Sequence, residues 1–241
     1  MKFIVIGDLH GKSCWRQVDI YNYDKIIFIG DYVDGPETMS DTEIVDNLHA
    51  LITLKINNPD KIILLLGNHD IHYLHFPLFR GSGLRITIQE KLTHIFQTYA
   101  NLFQVAYQAG NYLFTHAGVN QLWYNEFLNH PAIYPLIEKG DTLADLLNKI
   151  EARFPEQRAM LHKIGAPRGG AGFGGITWAD STELKSAMLM GYHQIVGHSR
   201  VFDVKMETLD SSTSVTFIDV LNTRTYFHEI EVFNPHISKI F

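Results

Sequence analysis

A chain of 241 residues that is 46% hydrophobic is long enough to bury one large core, or a core with a small cap. Its net charge of -6 comes from 20 Lys and Arg against 26 Asp and Glu, with the basic residues dispersed, so nothing provides an electrostatic grip on nucleic acid or an anionic membrane. The single cysteine, Cys14, excludes an intrachain disulfide and fits a reducing, cytoplasmic setting. Met1-Lys2 leads into an apolar run too short for a signal peptide, and no later run approaches the length of a membrane span.

Lys2 to Ile6, Lys25 to Ile29 and Lys61 to Leu66 are short runs rich in Ile and Val, as expected of strands buried on both faces and separated by helices. Between the second and third, Ser40-Asp41-Thr42-Glu43 has capping-box form, and Ile44, Val45, Leu48, Leu51 and Ile52 then recur at helical spacing. This β-α-β alternation predicts parallel strands with ligands at their carboxyl ends. Ile86 to Ala100 is again helical, and Phe103 to Tyr107 and Tyr112 to Thr115 read as strands. Asn120 to Lys163 has helical periodicity interrupted by Pro131, Pro135 and Pro155, and reads as an inserted helical cap. Gly165 to Gly175 is glycine-rich and is expected to be a mobile loop at the end of that cap. Ile195-Val196, Val201 to Met206, Ser214 to Ile218 and Arg224 to Val232 then read as a β-rich finish with hairpins. The whole, 1–241, reads as one domain with a cap at about 120–175 and no internal repeat.

Short polar motifs punctuate these apolar runs: Gly7-Asp8-Leu9-His10-Gly11, Gly30-Asp31-Tyr32-Val33-Asp34, Gly67-Asn68-His69-Asp70, His116-Ala117-Gly118 and Gly197-His198-Ser199. Asp, His and Asn hold hard to borderline divalent ions, and each motif sits where a strand hands over to a loop. One such motif alone is more often a turn after a strand than a ligand set. The ordered series makes chance a poor explanation.

In this series, and in Ile176-Thr177-Trp178-Ala179-Asp180, the chain resembles the calcineurin-like metallophosphoesterases from Met1 to about Val220. Within them it is similar to the branch containing the phosphoprotein phosphatases and the symmetrical diadenosine tetraphosphatases. The resemblance implies an α/β fold, a four-layer sandwich of two mixed sheets flanked by helices with a small helical insertion. It also implies a binuclear site in which Asp8, His10 and Asp31 hold one ion, with Asp31 bridging to a second held by Asn68, His116 and His198. Two ions about 3.5–4 Å apart acidify a bridging water to hydroxide for in-line attack on phosphorus. The donor set lacks thiolate and favours manganese, with iron or zinc as alternatives. His69, next to Asn68, faces away from the metal and is the candidate general acid for the leaving group. Asp34 is placed by the resemblance to hold His69 charged and oriented; the bland reading is a turn at Asp34-Gly35-Pro36.

The chain departs from the phosphoprotein phosphatase pattern at two points. Gly35 stands where that branch has a phosphate-gripping Arg, and Asp70 where it commonly has Glu. Arg168, on the glycine-rich loop, is the candidate to bind phosphate instead, with Arg80 and Arg200 as weaker choices and a solvated surface role as the alternative. Gly170-x-Gly172-x-Gly174 lacks the preceding strand of a nucleotide-binding fingerprint and is discounted. Trp178 and Asp180 read as packing near the site, and His72 and His75 as solvent-facing or helical surface residues, with lining of the substrate mouth as the alternative. The expected activity is metal-dependent phosphomonoester hydrolysis on a phosphorylated small molecule, nucleotide or phosphopeptide. The alternatives are a dinucleoside polyphosphate or nucleotide pyrophosphohydrolase, for which the helical insertion would serve as a base-binding cap, a nuclease or phosphodiesterase, which the acidic balance disfavours, and a scaffold with the fold but no turnover.

Overall fold

The computed structural model describes residues 1–79, 81, 83–232 and 240. The elements in chain order are β1 (Lys2–Ile6), β2 (Lys25–Phe28), α1 (Asp41–Asn57), β3 (Ile62–Leu65), α2 (Asn68–Leu74), α3 (Gln89–Thr98) and β4 (Phe103–Gln104). They continue as β5 (Ala106–Ala109), β6 (Tyr112–Thr115), α4 (Gln121–Leu128), α5 (Leu143–Arg153), α6 (Pro155–Leu161) and α7 (Ser181–Ser186). The chain finishes with β7 (His193–Val196), β8 (Lys205–Asp210), β9 (Thr213–Phe217) and β10 (His228–Glu231). It divides into two compact units, Met1–Gln104 with Val220–Glu231, and Val105–Asp219 with Val232–Phe241. No helix among the described residues is long and apolar enough to cross a membrane.

The first unit carries a sheet in the order β10-β1-β2-β3-β4. β1 to β4 run parallel, as the alternation predicted, and β10 pairs antiparallel with β1 at the edge. Phe3 to Ile6, Ile26 to Phe28 and Ile62 to Leu65 are buried along their whole lengths, as expected of strands of this composition. α1 starts where predicted: Ser40 Oγ accepts from Glu43 N at 3.2 Å and Glu43 Oε2 accepts from Ser40 N at 2.8 Å. All five apolar residues at helical spacing, Ile44 to Ile52, are buried. Between β1 and β2, however, the chain makes two short 3-10 turns rather than a helix. Its path there is set by one anchor, Trp15, which is buried and donates its indole N–H to Asn47 Oδ1 at 2.9 Å.

The second unit carries a sheet in the order β5-β6-β7-β9-β8, with β6, β7 and β9 parallel and both edge strands antiparallel to their neighbours. Phe103 to Tyr107, read as one strand, is in fact two. The Val105 and Ala106 amides both donate to Asn148 Oδ1, at 2.9 and 3.1 Å, so a side chain takes the place of a neighbouring strand and the ladder breaks. Val201 to Met206 is likewise not a strand until Lys205, and Val204 N bonds locally to Asp203 Oδ1 at 2.6 Å. The 120–175 region is helical, but two of its prolines begin elements rather than interrupt them. Pro155 starts α6 and Pro135 lies in the 3-10 turn Tyr134–Leu136, where a missing N–H is harmless. The glycine-rich loop closes on itself through Gly170 N to Gly165 O at 3.0 Å, Ala166 N to Gly172 O at 2.9 Å and Gly175 N to Lys163 O at 2.8 Å.

Candidate metal centre

In the first unit the ends of β1, β2 and β3 deliver Asp8, His10, Asp31 and Asn68, all buried. The backbones beneath them touch. Gly30 has a φ of +110°, and a Cβ there would run into the Gly67 backbone, while a Cβ on Gly67 would run into Asp31. Asp70, which the sequence left without a role, holds these turns together. Its Oδ2 accepts from Asp31 N at 2.7 Å and Gly67 N at 2.8 Å, and its Oδ1 from Tyr32 N at 2.9 Å. A fully buried carboxylate bonded to three amides from two loops leaves little freedom to either loop.

Among the described residues, the only non-glycine residues at positive φ are His10 (45°), Asp31 (51°), Asp34 (56°) and His198 (60°). Every one is a candidate site residue. Left-handed backbone at Asp and His is tolerated rather than favoured, and its concentration here marks positions where side-chain direction outweighs local strain.

The donor chemistry at His10 fits a cation. Its Nδ1 lies 3.1 Å from the Val33 carbonyl, which can only accept, so Nδ1 carries the proton and Nε2 presents a lone pair. That lone pair faces Asp31 Oδ2 at 3.7 Å. Burial pushes the His10 pKa down although Asp31 opposes the shift, so the ring is neutral and the two facing atoms are both acceptors. Two acceptors this close are stabilised by a positive charge between them. A carboxylate oxygen of Asp8 comes within 4.8 Å of one of Asp31.

His69 lies on the same unit. Its backbone N–H donates to Asp31 Oδ1 at 2.9 Å, its Nδ1 to Asp34 Oδ2 at 2.9 Å, and its Nε2 stands 4.0 Å from Asp31 Oδ2. Burial works against the charged ring, but the carboxylates of Asp31 and Asp34 outweigh it and the pKa is pushed up to about 9. Asp34 therefore has a definite partner and is more than a turn residue. His72 is not on the surface: it is buried, its Nδ1 is bonded to Phe79 O at 3.0 Å, and burial lowers its pKa. His75 is partly exposed. Arg80 lies outside the described residues. Gly35 has a steric reason, since a Cβ there would run into the His10 carbonyl oxygen.

In the second unit His116 follows β6 and His198 follows β7, and their rings lie 5.0 Å apart. Trp178 packs edge-on against His198 at 5.5 Å. Gly197 N donates to His116 O at 2.8 Å and Ala117 N to Ile176 O at 2.8 Å, tying the Trp178 segment to both loops. Asp180 caps α7, accepting from Thr182 N at 2.9 Å, and also pairs with Arg168 Nε at 2.9 Å. Arg168 Nη2 reaches Ser199 Oγ at 3.0 Å, beside His198. Arg168, though exposed, is thus tied to Asp180 and to the Ser199 hydroxyl next to His198.

Sequence reading missed Tyr73, Gly83 and Arg85 around the His69–Asp34 pair. Tyr73 stands four residues after His69 on α2, a spacing that puts both on one helix face, and this was the available signal.

The chain is 27% identical over 137 residues to the symmetrical bis(5'-nucleosyl)-tetraphosphatase of Nitrosospira multiformis, spanning 51% of this chain and 46% of that protein. Its structure is similar to the cold-active protein-tyrosine phosphatase of a psychrophilic Shewanella, with a TM-score of 0.53 at 17% identity over 91% of this chain and 71% of that one. A second structure of a cold-active protein tyrosine phosphatase gives 0.53 at 16% identity, over 91% and 69%. At these identities the likeness concerns the fold, and it agrees with an α/β chain of two mixed sheets flanked by helices. The model of the calcineurin-like phosphoesterases matches residues 1–167, more than half of the chain. Together with the ordered Asp, His and Asn motifs at its strand ends, this establishes that the chain belongs to the calcineurin-like phosphoesterase family.

Proposed function

We propose that the protein is a binuclear phosphomonoesterase in which Asp8, His10, Asp31, Asn68, His116 and His198 are the metal ligands. The observation that carries the metal reading is His10 Nε2 facing Asp31 Oδ2 at 3.7 Å while its Nδ1 is bonded to the Val33 carbonyl. When bound, two divalent ions, manganese by the thiolate-free donor set, supply an acidified water as nucleophile and charge to hold the phosphoryl oxygens.

The remaining steps belong to the chain. Asp31 receives the His69 amide on one oxygen, which leaves its other oxygen directed at His10. His69 keeps a proton on Nδ1 for Asp34 and offers a second from Nε2 to the departing oxygen. Asp34 would hold the imidazole oriented and favour its charged form. Arg168 binds the phosphate, oriented by Asp180 and Ser199.

His69→Asn tests the assignment. It should cut turnover of an alkyl phosphate by about 10²–10⁴-fold and that of a nitrophenyl ester far less, since a phenolate departs without a proton. Equal losses on both esters would move His69 to metal support. The similarity to a symmetrical tetraphosphatase supports a second reading, cleavage of dinucleoside polyphosphates at the same centre. Inorganic phosphate from monoesters against nucleoside diphosphate from diadenosine tetraphosphate, compared by kcat/KM, decides between them.

A further inference from the structure

Three groups outside the proposed machinery converge on the His69–Asp34 pair. Tyr73, fully buried on α2 and stacked on Phe96 with ring centroids 6.2 Å apart, donates its hydroxyl to Asp34 Oδ1. The backbone N–H of Arg85 donates to that same hydroxyl at 2.9 Å. Gly83, at a φ of +90°, lies against the imidazole, where a Cβ would approach His69 Cε1 to 2.8 Å. The 83–85 segment is itself strapped to the loop after Asp34. Arg85 Nη1 donates to Met39 O at 3.0 Å and to Asp41 Oδ1 at 2.7 Å, and Nη2 to Gly35 O at 3.0 Å and Pro36 O at 2.7 Å.

A phenol has one proton to donate. With the Arg85 amide occupying an acceptor position on its oxygen, the Tyr73 proton is directed to Asp34. Burial, reinforced by Asp34, pushes the Tyr73 pKa up, so the proton stays on the phenol. Asp34 then has both oxygens engaged, Oδ1 by Tyr73 and Oδ2 by His69, and cannot rotate away from the imidazole. We infer that Tyr73 is a positioning residue for the general acid, and that the Arg85 amide aims its hydroxyl. This rests on the proposed role of His69.

The chain of donors predicts a specific phenotype for Tyr73→Phe. Phenylalanine keeps the stack on Phe96 and removes only the hydroxyl, so Asp34 loses one of two restraints. Turnover of an alkyl phosphate should fall by about tenfold, the usual consequence of losing one hydrogen bond to a charged group, with KM little changed and the nitrophenyl ester nearly unaffected. The ratio of the two activities does not depend on how much of the variant is folded.

A second readout needs neither turnover nor metal. In the metal-free protein the His69 Nδ1–H proton, held by Asp34, should give a low-field proton resonance that is identified by its loss in His69→Asn and that shifts or broadens in Tyr73→Phe. An unchanged activity ratio together with an unmoved resonance overturns the positioning role and leaves Tyr73 as a packing residue. If instead His69→Asn itself fails to separate the two esters, the general-acid assignment is what fails. The resonance then still reports whether Tyr73 orders the pair.

Discussion

Gly35 is a residue whose type follows from its neighbour. A Cβ there would collide with the His10 carbonyl oxygen, so no larger residue can be seated without moving the backbone of a candidate metal ligand. Arg168 is the proposed phosphate-binding residue, and its contacts make the proposal testable. Arg168→Ala should lower kcat/KM for small phosphate esters by about one to two decades, the size of a lost charge-assisted contact, while metal occupancy stays full. Unaltered kinetics with a lowered melting temperature would show that the pair with Asp180 serves structure alone. The placement of Asp8, His10 and His116 just after strands was legible in the sequence. Asp70 was visible only as a departure, because the three amides it bonds come from positions up to 39 residues away in sequence.

The short helix α7 shows how one side chain serves two elements. Asp180 caps it and simultaneously anchors the glycine-rich loop through Arg168. Partial burial works against its charged form, but the bonds from Thr182 and the nearby Arg168 guanidinium outweigh it and hold its pKa below the ordinary 3.8. A depressed folded-state pKa means that this contribution to stability is present in full above about pH 4 and disappears as the pH falls through the lower folded value. Asp180→Asn keeps a capping oxygen and loses the charge. It should therefore melt below the native protein at about pH 7, the two converging as the pH falls through the lowered folded-state value. A gap that stays constant across that range would assign the loss to shape rather than charge. Among the elements, α1 was legible to the residue because its capping box and apolar spacing are local. The break at Val105 was not, because the atom that causes it belongs to Asn148 on α5.

For the molecule as a whole the proposed centre makes a stoichiometric statement. Elemental analysis after manganese loading should find two ions per chain, and Asp31→Asn should lose at least one of them. Ligands that bind only the folded chain stabilise it by mass action, by about 2.7 kcal/mol at a free concentration a hundred times the dissociation constant, so chelation should lower the melting temperature. One ion per chain, or a melting temperature indifferent to metal, would refute the binuclear proposal. What the sequence determined by itself was everything encoded at short range. That includes the buried parallel strands, the start of α1, and the delivery of Asp, His and Asn at strand ends, since strand burial and capping depend on residues a few positions apart. Only the tertiary structure decided which proton His10 carries, what Asp70 holds, why Gly35 is glycine, and that Tyr73 and Arg85 reach Asp34. Each of those depends on a carbonyl, amide or hydroxyl brought close by folding, and backbone polar groups are the same in every sequence.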